Sequence, residues 1–96
     1  MRWIVVYDIT NDVLRGKVSE RLKDYGLERI QYSAFQGELL RHALASLKTD
    51  LRRMLNEGEE TDSVIIFPLC DSCFKTRITI GADKEMEGDA ERVSLF

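Results

Sequence analysis

The sequence predicts an α+β fold, and three observations carry that prediction. Two runs of β-branched and aromatic residues, 3–9 and 63–67, read as strands. Two longer segments repeat apolar residues at helical spacing. Between those two segments, residues 28–37 read as extended chain.

The elements follow in order. Trp3, Ile4, Val5, Val6 and Tyr7 scarcely alternate in polarity, as in a strand covered on both faces or lying mid-sheet. Thr10, Asn11 and Asp12 are three candidate N-caps for a helix over 11–25. Leu14, Val18, Leu22 and Tyr25 form its apolar stripe, and Gly26 supplies the stop. In residues 28–37, Ile30, Tyr32 and Ala34 alternate with Arg29, Gln31, Ser33 and Phe35. The segment is either one long strand or two short ones bent near Tyr32-Ser33. Leu40, Leu44, Leu47, Leu51 and Leu55 set a second helix over 39–56. Residues 63–67 read as a second mid-sheet strand, ended by Pro68, the only proline. Cys70 to Cys73 reads as a turn, and 75–80 as a strand stopped by Gly81.

Splitting the extended segment gives β-α-β-β-α-β, the ferredoxin-like order, with the first and third strands central. Asp8 then stands at the C-terminal end of a central strand, where α/β sheets tend to place ligands. Residues 1–81 make up this domain. Residues 82–96 add an acidic loop and an apolar end in Val93, Leu95 and Phe96, which needs a surface in its own core or on a neighbouring subunit.

At 96 residues and 11.1 kDa the chain is one domain, with ordinary globular chemistry of 44% hydrophobic and 32% charged residues. No apolar run approaches the ~20 residues that span a bilayer, and the N-terminal run lacks the pattern of a secretory signal. With two cysteines and no disulfide framework, the expected compartment is the cytoplasm. The net charge of −3 hides an asymmetry. Residues 1–53 hold 10 Lys and Arg against 7 acids, and residues 54–96 hold 4 against 10. Phosphate binding follows local charge rather than the sum.

Asp8 is a carboxylate at the end of an apolar strand, where unpaired burial is costly. A hard cation such as Mg²⁺ would offset that cost. So would capping the next helix, or pairing with Arg15 or Arg29. One carboxylate makes a poor metal site, but a two-fold dimer doubles it. Arg29, Gln31, Ser33 and Phe35 fall on one face by alternation, a set suited to a phosphate backbone and a stacked base. His42, the only histidine, reads as a solvated side chain. Cys70 and Cys73 lack the four ligands zinc needs within one chain, and Asp71 disfavours a stabilised thiolate between them.

Val5 to Ile9, Arg15 with Lys17, the block from Gly26 to Gly37 and the block from Asp62 to Leu69 resemble the CRISPR-associated endoribonuclease family. This is the small second protein of the CRISPR adaptation module. The likeness runs from residue 2 to about residue 81. It implies a ferredoxin-like sandwich with an extra C-terminal strand that crosses to the partner subunit of a two-fold symmetric homodimer. It implies that Asp8 is catalytic and binds Mg²⁺ (or Mn²⁺), one carboxylate per subunit. Arg15, Arg29, Ser33 and Phe35 match positions associated with substrate. The implied activity is endonucleolytic, on RNA or double-stranded DNA, in spacer acquisition for antiviral defence. Some members instead resemble a non-catalytic bridge between integrase dimers, in which Asp8 is dispensable. A toxin- or antitoxin-like RNA-binding module is a further reading.

Overall fold

A computed structural model describes residues 1–82. The elements are β1 (Arg2–Asp8), α1 (Asp12–Asp24), β2 (Glu28–Gln31), β3 (Ala34–Glu38), α2 (Arg41–Leu55), β4 (Ser63–Leu69) and α3 (Asp71–Lys75). The strands form one antiparallel sheet in the order β2-β3-β1-β4. This is the βαββαβ sandwich, with β1 and β3 central as expected. The extended segment is two strands, bent at Tyr32 and Ser33.

Local chemistry explains the helix ends. Asn11 caps α1, its Oδ1 accepting from the Leu14 N–H at 2.8 Å. At the other end Gly26 takes φ +86, and the N–H groups of Gly26 and Leu27 bond back to Lys23 and Leu22. That pair of bonds satisfies carbonyls the helix leaves free. Leu27 is then carried into the core beside Gly37. A Cβ on Gly37 would stand 2.7 Å from Leu27 Cδ2, so only glycine fits there without displacement.

Both long helices cover one face of the sheet. Val5, Tyr7 and Phe35 from the strands meet Leu14, Val18, Leu22, Leu47 and Leu51 from the helices. Asp50 ties α1 to α2. Its carboxylate accepts from the Tyr25 hydroxyl at 2.8 Å and pairs with Arg21 at 2.9 Å. These contacts hold Asp50 below the usual carboxylate range, the Tyr25 bond contributing most. Burial, then the bond to Asp50, raises the Tyr25 phenol, which stays a donor. A depressed folded pKa stabilises above the unfolded value and is lost as pH falls through the folded one. Asp50→Asn is therefore expected to flatten the acid limb of melting temperature against pH. Circular dichroism melts from pH 7 to pH 2 check this, and an unchanged acid limb would refute it.

Three expectations are corrected. β4 is an edge strand, not a mid-sheet one, and runs through Pro68 to Leu69. An edge tolerates the missing N–H. Residues 70–73 are not a turn but the start of α3, where Cys70 Sγ accepts from the Cys73 N–H at 3.4 Å. The strand expected over 75–80 does not form: Lys75 ends α3, and residues 76–82 join no strand of the sheet despite their alternation; Ile80 is 89% exposed. The expected acidic loop from 83 and the C-terminal strand lie outside the described residues. Among the described residues no helix is long and apolar enough to cross a membrane.

Candidate metal and nucleic-acid site

Alternation along β1 divides its side chains between two environments. Val5 and Tyr7 point into the core, whereas Ile4, Val6 and Asp8 point to the face without α1 and α2. Register adds Ile65 and Phe67 of β4 to that second face, opposite Val6 and Ile4. Ile65 is 58% exposed and Phe67 41% exposed. An apolar run without polar alternation predicts cover on both faces. In the protomer one of those faces lies largely open.

Asp8 stands at the rim of this open face, opposite Ser63. It is exposed, and its carboxylate makes no hydrogen bond or ion pair with any described residue. Its alternative partners are engaged elsewhere. Asn11 caps the helix. Arg15 Nη1 donates to the Ile9 carbonyl at 2.8 Å while Nη2 pairs with Asp12. Arg29 donates to the Tyr32 carbonyl. The burial penalty expected for Asp8 is thus absent in one protomer and would arise only where something covers this face.

The loop behind Asp8 is held by Asp62, which the sequence marked only as the first residue of the block running to Leu69. Its carboxylate accepts from the Glu59 N–H at 2.9 Å and the Thr10 N–H at 3.1 Å. These bonds, Glu59's the larger, pull Asp62 below the usual carboxylate range. One side chain thereby joins the exits of β1 and α2. Its place just before a strand, within reach of the Thr10 N–H, becomes a readable signal only once β1 and β4 are paired.

The substrate set does not share one face. A bulge between Arg29 and Gln31 breaks the alternation, so Arg29 pairs with Phe35 while Gln31 pairs with Ala34 on the opposite side. Phe35 is fully buried, its ring packed near Tyr7 with centroids 6.2 Å apart. It is a core side chain, not the stacking platform expected for a base. The Arg29 guanidinium lies 4.8 Å from its ring centroid, so Phe35 supports the cation instead. Ser33 is half-buried, and its carbonyl accepts from the Tyr7 N–H at 3.0 Å, continuing the sheet past the turn. Arg15, Arg29 and Tyr32 do converge, around a hollow of about 190 Å³ also lined by Tyr7 and Asp12. Tyr32 is 72% exposed and lies 5.7 Å from the Arg15 guanidinium. The aromatic able to meet a base is therefore Tyr32. This hollow is on the helix side of the sheet, across from Asp8.

The family model for CRISPR associated protein Cas2 matches residues 1–77. The chain belongs to the Cas2 family. It is 46% identical over 84 residues to a protein of Korarchaeum cryptofilum named CRISPR-associated endoribonuclease Cas2, covering 88% of each chain. A relative in Archaeoglobus fulgidus, CRISPR-associated endoribonuclease Cas2 1, is 38% identical over 80 residues and 83% of each chain. The hypothetical protein TT1823 of Thermus thermophilus shares the fold, with a TM-score of 0.72 and 32% identity over 88% of this chain and 94% of that one.

Among the described residues no group of three or more His, Cys, Asp or Glu side chains could hold an ion. Asp8 offers a hard, unpartnered oxygen donor at the rim of the open face. Mg²⁺ accepts one or two carboxylates with water filling its remaining positions. A second Asp8 from another copy would complete such a set.

Proposed function

We propose that this Cas2-family chain is a cytoplasmic CRISPR adaptation protein that works as a two-fold homodimer, joined through the open sheet faces. The two Asp8 carboxylates would together hold one Mg²⁺ or Mn²⁺, and the dimer would act as an endonuclease on phosphodiester bonds of RNA or DNA. The observation that carries this reading is Asp8, unpartnered at the rim of an exposed apolar sheet face. The relatives named as endoribonucleases support it.

The bound ion would supply activation of water and neutralisation of phosphate charge. The chain's residues do the rest. Asp8 holds the ion. Asp62 keeps the loop beyond Asp8 against the exit of α2, so the carboxylate keeps its direction. Arg15 and Arg29 meet the phosphate backbone, and Tyr32 stacks on a base.

A charge on the joining face should separate the copies. Ile65→Asp is expected to leave a folded monomer, because desolvating an unpaired carboxylate costs several kcal/mol and weakens association by about 10³-fold. Sedimentation velocity across a concentration series checks this. A dimer unchanged by Ile65→Asp would remove the sheet-to-sheet arrangement.

The activity is tested with labelled single-stranded RNA and duplex DNA, with Mg²⁺ and with EDTA. Cleavage only with the metal supports the enzyme and reads its substrate directly. The second reading is a dimeric scaffold that grips duplex DNA and bridges integrase dimers. The helix-side position of Arg15, Arg29 and Tyr32, across the sheet from Asp8, favours it. Binding of duplex without cleavage, weakening steeply with salt, would select it.

A further inference from the structure

Cys70 and Cys73 take no part in the site above. Both are exposed free thiols at the junction where β4 passes into α3. Their sulfurs lie 3.0 Å apart, so little movement separates them from a bond. We propose that Cys70 and Cys73 form a reversible dithiol–disulfide site, with Cys70 as the attacking thiolate and Cys73 as the resolving thiol.

The surroundings assign these roles. Cys70 Sγ lies 3.3 Å from Ser72 Oγ and accepts from the Cys73 N–H at 3.4 Å. Donation from Ser72, and then from the Cys73 thiol, lowers Cys70 to about 7. Cys73 is raised, because its hydrogen bond to Cys70 holds its proton. Asp71 does not spoil this arrangement. Its carboxylate is engaged by Arg2 Nε at 3.6 Å. Zinc is disfavoured, since no third ligand joins the pair among the described residues.

The reaction needs only a low-molecular-weight disulfide as oxidant. The Cys70 thiolate attacks one of its sulfurs, forming a mixed disulfide and expelling one thiolate. Cys73 loses its proton to water and attacks Cys70 Sγ, expelling the second thiolate. Two protein thiols are oxidised by two electrons, and the oxidant is reduced to two thiols. The product closes the first turn of α3. This helix carries Phe74, which sits between the guanidinium groups of Arg2 and Arg77 at 4.0 Å and 4.1 Å. Phe74 also helps close a cavity of about 260 Å³ against Ile4 and Leu69 on the open sheet face.

The test treats the reduced full chain with glutathione disulfide and reads intact mass and iodoacetamide uptake. The expected product is lighter by two hydrogens, takes up no iodoacetamide and is restored by dithiothreitol. Cys73→Ser should stop at a mixed disulfide on Cys70. Cys70→Ser should react at least about tenfold more slowly near pH 7, with its rate midpoint in the ordinary thiol range. Separate glutathione adducts on both wild-type cysteines would overturn the proposal. So would a disulfide between two copies, equal rates in the two variants, or zinc retained by the purified chain.

Discussion

Asp8→Asn is expected to lower metal-dependent cleavage by about 10²-fold or more, while leaving the protein folded. The substitution keeps the shape of the side chain and removes its charge, the property a hard cation needs. Stability should hardly change, because Asp8 is exposed and no described residue pairs with it. Without metal the variant dimer should be slightly the tighter one, since two like charges no longer face each other. Cleavage is measured beside the thermal melt on the same preparations. Equal cleavage by wild type and variant would assign the activity to a contaminant. A variant that also loses duplex binding would move Asp8 from catalysis to nucleic-acid grip.

The second large effect is on the fold. Phe35→Ala should cost about 3–5 kcal/mol, because the ring is fully buried and the cavity left behind collapses only in part. Against a typical total of about 5–15 kcal/mol, this brings the chain near its unfolding threshold. The same change removes the surface beneath Arg29, so nucleic-acid binding by the remaining folded protein should weaken as well. Tyr32→Ala is the matched control. Its ring is exposed, so binding should suffer while stability holds. Urea titrations at one fixed protein concentration compare them. A loss below about 1 kcal/mol for Phe35→Ala would show that the ring is not packed as described.

Much of the fold was legible because its signals are local. The apolar stripe from Leu14 to Leu22 needs only helical period, and Asn11 and Gly26 mark the ends through their own hydrogen bonds and φ. Asp8 stood out for a similar reason, as a charge closing an apolar run. The bend at Tyr32-Ser33 was legible only as an option, since no glycine or proline marks it. The segment 75–80 misled because its alternation matches a strand, and alternation alone does not supply the pairing that makes one. The short helix α3 depends instead on Cys70 turning to cap it and on Phe74 finding Arg2.

By itself, then, the sequence determined the order of elements as far as β4, apart from the split of residues 28–37, together with the inward stripe of each helix and the position of Asp8 at a strand end. Each follows from period, capping or polarity within a few residues. Tertiary structure alone decided which way the side chains of β2 and β3 face, because one bulged residue reverses every side chain beyond it. It alone placed Phe35 in the core and brought Arg15, Arg29 and Tyr32 around one hollow. It also recruited Asp62 to the loop after Asp8, across 52 residues of chain. Such contacts depend on strand pairing and loop closure, and no local pattern encodes the partner.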